Sequence, residues 1–184
     1  MDFFMRCCAS RISALLCVLT LGACSAPPPL RIASAQIAQG ALNAQLSWSQ
    51  NEIVLDALDH GIALEFTLSL RAYGAERLGW NDTLAQADRH LELRYFPLSR
   101  RYQLRDLDRN ETRTYAARAL LVAAFEDLRL DLPAGFVRPD TQSYAMRIDL
   151  ERDRLPGALR LPALLDGNWR LSSGDYAWPA TAAD

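Results

Sequence analysis

The side chains best suited to chemistry are few and scattered in this sequence. Its two histidines, His60 and His90, fall in different predicted elements, and its four cysteines, Cys7, Cys8, Cys17 and Cys24, all precede the first predicted strand. A zinc site draws most of its ligands from His and Cys, so this supply is too thin to build one. A Gly-x-Ser-x-Gly elbow, which would present a serine nucleophile at a strand-to-helix turn, is missing, as are phosphate loops and dinucleotide fingerprints. Ser172-Ser173-Gly174-Asp175 stands near a strand end without the flanks of such an elbow and reads as a turn. Asp106 with Asp108, and Asp149 and Glu151 with Asp153, offer the oxygen ligands that a hard cation takes. Arg105, Arg109, Arg147, Arg152 and Arg154 interleave with them, so the bland reading is a solvated, salt-paired surface. No catalytic residue, metal or cofactor is expected, and the chain is not read as an enzyme.

Cys24 carries a different chemistry. It ends Leu21-Gly22-Ala23-Cys24, which follows an apolar run from Ile12 to Leu21 and a basic start at Arg6 and Arg11. This is the order of a signal peptide, and the run is shorter than the roughly 20 apolar residues that span a bilayer. The last four residues have the form of a bacterial lipobox, so cleavage before Cys24 would leave that cysteine as a lipidated N-terminus. A start at Met5 would omit Asp2 and give a cleaner signal. Residues 1–23 are then the signal peptide and residues 24–29 a tether. Pro27-Pro28-Pro29 favours an extended spacer of about 10–15 Å. Cleavage removes Cys7, Cys8 and Cys17 and lipidation consumes Cys24, so no disulfide is available in an oxidising compartment and the core must supply stability. Ser25 is not acidic, which favours the periplasmic side of the outer membrane over the inner membrane.

The arginines supply the third chemistry. Every basic residue is Arg and none is Lys, which reads as a compositional bias of the source genome. The net charge is −2, and nothing suggests nucleic acid. Yet Arg89, Arg94, Arg100, Arg101, Arg105, Arg109, Arg113 and Arg118 outnumber Asp88, Glu92, Asp106, Asp108 and Glu111 in one stretch. Alternation places Arg94, Arg101 and Arg105 on its wet face, where guanidinium forks can grip phosphate or carboxylate. Cross-strand pairing with Glu92 and its neighbours is the competing use.

The elements that position these groups follow from hydrophobic period. Ile32 to Ala38 and Gln45 to Trp48 alternate around a turn at Gly40–Asn43 and predict a hairpin. Ile53, Val54, Ala57 and Leu58 recur at helical spacing, with Ser49 and Glu52 as a capping box and Gly61 as the stop. His60 in the last turn favours the negative end of the helix dipole. Ile62 to Arg71 predicts a strand, Tyr73 to Asp82 an irregular segment, and Ala85–Phe96, Arg101–Leu107 and Glu111–Tyr115 a meander turning at Pro97–Arg100 and Asp108–Asn110. Ala116 to Leu128 predicts a second helix with Thr114 as a cap and Pro133 as the residue that ends it. A strand over Tyr144–Leu150, a loop or short helical turn from Leu155 to Asp166, and a last strand over Trp169–Ser173 complete the order. The class is α+β: a mainly antiparallel curved sheet, sandwich or partly open barrel, with two covering helices. Residues 30–178 form a single domain and 179–184 a tail.

Three segments resemble a proteobacterial exported family known as domain of unknown function 4390: Ala57-Leu58-Asp59-His60-Gly61-Ile62-Ala63-Leu64-Glu65-Phe66, Leu93 to Leu104, and Asn168-Trp169-Arg170-Leu171-Ser172-Ser173. The family often carries Asp-Trp-Tyr after the final Ser-Ser, whereas this chain has Gly174-Asp175-Tyr176-Ala177-Trp178. The resemblance implies an envelope protein and supplies no active-site residues. The expected function is a non-enzymatic, lipid-anchored interaction or assembly module, meeting the membrane through its anchor and an envelope protein or anionic envelope polymer through the arginines. A carrier enclosing an apolar ligand, or a hydrolase joining His60 or His90 to a carboxylate in a pocket, are the alternatives.

Overall fold

Strand alternation shapes most of the computed structural model, which describes residues 28–49, 51–77 and 80–180. The lipobox, including Cys24, lies outside the described residues. β1 (Leu30–Ala38) and β2 (Ala41–Trp48) form the opening hairpin. Its turn is Gln39–Gly40, both at positive φ (53° and 74°), the tight geometry whose twist matches that of the strands. Pairing therefore resumes at Ala41, earlier than the Gly40–Asn43 turn allows.

α1 (Glu52–Asp59) buries Val54, Leu55, Ala57 and Leu58. Its cap is Asn51 rather than Ser49: Asn51 Oδ1 accepts from the Ile53 N–H at 3.0 Å. Ser49 instead gives both its N–H and its hydroxyl to the Pro29 carbonyl, so the hairpin end claims it. At the other end, Gly61 (φ 83°) donates to the Leu58 carbonyl and Ile62 to that of Ala57, a Schellman closure.

β3 (Leu64–Arg77) and β4 (Trp80–Phe96) make one long hairpin where Tyr73–Asp82 reads as irregular. The register shifts twice between Ala72 and Glu76, which breaks the alternation without ending the pairing. β5 (Arg101–Asp106) and β6 (Glu111–Tyr115) complete the meander.

α2 (Arg118–Glu126) has no side-chain cap, because Thr114 is a strand residue opposite Gln103. It ends without Pro133, passing directly into β7 (Asp127–Asp131), which pairs with β2. Asp127-Leu128-Arg129-Leu130-Asp131 alternates, and the free edge of β2 supplies the ladder that ends the helix. β8 (Ser143–Leu150) agrees with its predicted strand. The segment at 155–166, expected as a loop or short helical turn, contains a third helix, α3 (Gly157–Leu165), with Pro162 inside it. Trp169–Ser173 is not a strand. Ser173 Oγ accepts the Ile148 N–H at 2.9 Å, Gly174 turns the chain at φ 66°, and the last strand is β9 (Tyr176–Pro179). Beyond it the Ala180 N–H bonds the Gln142 carbonyl at 2.8 Å.

Two antiparallel sheets result, β1-β2-β7 and β6-β5-β4-β3-β8-β9, and they do not close into a barrel. Leu64, Phe66, Leu68 and Leu70 of β3 join Leu55 and Leu58 of α1, Leu121 and Phe125 of α2, and Leu46 and Trp48 of β2 in one buried cluster. At its centre the rings of Trp48, Phe66 and Phe125 stand 4.7 to 6.1 Å apart.

Candidate functional site

Strand register decides which meander side chains share a face. β4 and β5 pair Glu92 with Arg105, Leu93 with Leu104, Arg94 with Gln103, Tyr95 with Tyr102 and Phe96 with Arg101. Alternate residues point to opposite sides, so Leu93, Leu104, Tyr95 and Tyr102 face the core. Arg94, Phe96, Arg101, Gln103 and Arg105 face outward. β6 adds Thr112 opposite Arg105 and Thr114 opposite Gln103 to the same outer surface.

Arg94 and Arg101 are exposed, and among the described residues neither forms an ion pair. The Arg94 guanidinium lies 5.0 Å from the centre of the Phe96 ring, a cation–π distance, and Arg101 is directly opposite that ring. Glu92 stands opposite Arg105 without pairing to it. Arg105 sends its guanidinium to Asn110 Oδ1 at 2.5 Å, and its Nε–H is buried without a partner. Phe96 was legible as the next outward residue after Arg94, but an aromatic beside a turn carried no sign of its use.

The core side of the same strands is fully engaged. The Tyr102 hydroxyl donates to Asp59 Oδ1 at 2.8 Å, and Arg118 Nη1 donates to Asp59 Oδ2 at 2.7 Å. Burial, followed by the hydrogen bond to Asp59, pushes the Tyr102 phenol up to about 12. Two of the family-like segments, Ala57–Phe66 and Leu93–Leu104, meet in this contact. The third packs elsewhere: Asn51 Nδ2 donates to the Asn168 carbonyl at 2.8 Å, and the Leu150 N–H to that of Leu171.

The remaining candidates make local contacts, and each histidine lies beside a carboxylate, His60 at 3.5 Å from Asp56 and His90 at 3.2 Å from Asp108. Buried Asp106 accepts the N–H groups of Asp108 and Arg109 and shapes the turn after β5. Asp108 then accepts the His90 N–H at 2.7 Å and faces its Nδ1 at 3.2 Å. Burial raises the Asp108 carboxyl, but the two His90 hydrogen bonds and the imidazole charge outweigh it and hold it below the usual carboxylate range. His60 Nδ1 reaches the Asp56 carbonyl at 2.7 Å, one turn back in α1. Arg109 bridges Asp131 at 2.5 Å and Glu111 at 3.4 Å. Arg147 pairs with Asp149 at 2.8 Å, and the Ser173 hydroxyl is spent on β8 and on the Gly174 carbonyl. Among the described residues, no three His, Cys, Asp or Glu side chains gather where one ion could be held. No described helix is long and apolar enough to cross a membrane.

A family model described as Domain of unknown function (DUF4390) matches residues 30–179. No curated protein and no solved structure matches the chain.

Proposed function

We propose that this chain, which belongs to the family of domain of unknown function 4390, works as a lipid-anchored interaction module of the bacterial cell envelope. The observation that carries this reading is the outer surface of β4 and β5, where Arg94 and Arg101 stand unpaired on either side of Phe96 and Arg105 keeps a buried N–H unused. Arg105 is half-exposed and held through Nη2 by Asn110, and the exposed guanidinium forks of Arg94 and Arg101 suit a bidentate phosphate or carboxylate. The partner is therefore an acidic envelope protein or an anionic envelope polymer. Leu21-Gly22-Ala23-Cys24 supplies the anchor and Ser25 to Pro29 the spacer, on the periplasmic side of the outer membrane.

A photo-crosslinking residue at Gln103, between the arginines, tests the binding role in intact cells. The expected result is a discrete adduct that disappears when Arg94, Arg101 and Arg105 are exchanged for Glu. The same adduct in the charge-reversed chain would exclude the arginine surface. Intact mass of the purified chain, showing a diacylglyceryl group on Cys24, tests the anchor separately.

A further inference from the structure

α3 is apolar on the side that faces solvent. In Gly157-Ala158-Leu159-Arg160-Leu161-Pro162-Ala163-Leu164-Leu165, Ala163 is buried and Leu159 packs against the core, which accounts for one side. Leu161, Leu164 and Leu165 are 71%, 50% and 89% exposed. Spaced three and four residues apart, they adjoin on the helix surface. A surface helix normally turns charge outward, and here Arg160 alone does so. Contiguous exposed leucines mark an interaction surface.

The start of the domain says what covers it. The Pro29 carbonyl is held by Ser49, two residues before Asn51, and Asn51 is bonded to Asn168, three residues after Leu165. Ile53, which follows in the first turn of α1, is itself 46% exposed. The described chain therefore begins within a few residues' reach of Asn168, which follows α3. From Pro29 back to Cys24 there are only five peptide steps, at most about 18 Å when fully extended. Arg154, Arg160 and Arg170 are exposed in and around the helix, where long basic side chains suit anionic headgroups.

We infer that Leu161, Leu164 and Leu165 of α3 seat the domain on the lipid surface to which Cys24 is tethered. This rests on the anchor reading above, and it adds an orientation: the α3 end faces the membrane. The two acyl chains of a diacylglyceryl cysteine already hold the terminus in the membrane, so burying the three leucine side chains adds orientation rather than attachment.

The test uses the full chain purified from bacterial membranes and returned to vesicles of phosphatidylethanolamine and phosphatidylglycerol. Leu161→Cys, Leu165→Cys and, as a control, Leu98→Cys are labelled with an environment-sensitive fluorophore. Leu98 is fully exposed in the turn after β4. Signal cleavage and lipidation leave the introduced thiol as the single reactive one. The expected result is at least a twofold rise in emission at 161 and 165, quenched by acyl-chain spin labels, with no change at 98. Equal, unquenched emission at all three sites on a chain whose mass shows lipid at Cys24 overturns the α3 contact and leaves the anchor standing. Protection at 161 and 165 by a second copy or another protein, without quenching, also overturns it. A mass without lipid removes the anchor reading and this inference with it.

Discussion

Arg101 and Tyr102 are neighbours in β5 and are used in opposite ways. Tyr102 turns inward and is bound to Asp59, which also holds Arg118, so three polar groups from α1, β5 and α2 satisfy one another. Arg101 turns outward onto a surface where Arg94 lies against Phe96 and no described carboxylate answers either cation. The strand pleat alone separates them. Charge on the inner side closes the fold, whereas charge on the outer side is left open. That difference argues that the outer arginines serve something outside the chain.

Substitutions on the inner side should cost the fold most. Phe125→Ala, removing a ring packed 4.7 Å from Phe66, should cost about 3–5 kcal/mol in urea unfolding. Asp59→Ala leaves Tyr102 and Arg118 without their acceptor, and about 1–2 kcal/mol is expected, since both members of the ion pair are about a third exposed (34% and 35%) and water screens them. A loss no larger than that of an ordinary surface substitution would show that the contact does not close the fold.

A phenol raised from 10.0 to about 12 contributes stability that is complete below pH 10 and lost as pH rises through 12. Tyrosinate absorption should show a late-titrating phenol that Asp59→Asn brings back towards 10.0. At the acid end, Asp108 is held below its usual range, so its contribution stands above pH 3.8 and falls away as pH drops through its lowered value. A flat urea midpoint from pH 5 down to pH 3 would contradict that assignment.

How much of this was legible depended on range. Leu91, Leu93 and Tyr95 alternate within a few residues, and their strand, with the outward placement of Arg94, follows from that period alone. The Asp59–Tyr102 contact joins residues 43 positions apart, and no local pattern encodes it. β7 has no separate signal in the sequence, because Leu128 also continues the helical stripe of Leu121 and Phe125, and only the edge of β2 decides between the two periods. Leu155 to Asp166 reads as a loop or short helical turn, and α3 is longer than a single turn because Pro156 just precedes the helix and the chain continues through Pro162. Its exposed leucines gave no signal, because a sequence shows that residues are apolar and not whether anything covers them.

The smallest expected effect discriminates best between the two sides of β5. Arg94→Ala with Arg101→Ala removes two exposed cations that hold no described carboxylate, so the urea midpoint should correspond to a change within about 0.5 kcal/mol. The Gln103 adduct should nonetheless weaken at least tenfold, and in the unaltered chain it should fall as salt rises, because exposed charges are screened over about 8 Å at physiological ionic strength. Lost stability together with lost capture would make the arginines part of the fold after all. Unchanged stability with lost capture would separate the two sides of one strand, with Tyr102 holding the domain together and Arg101 holding what the domain meets.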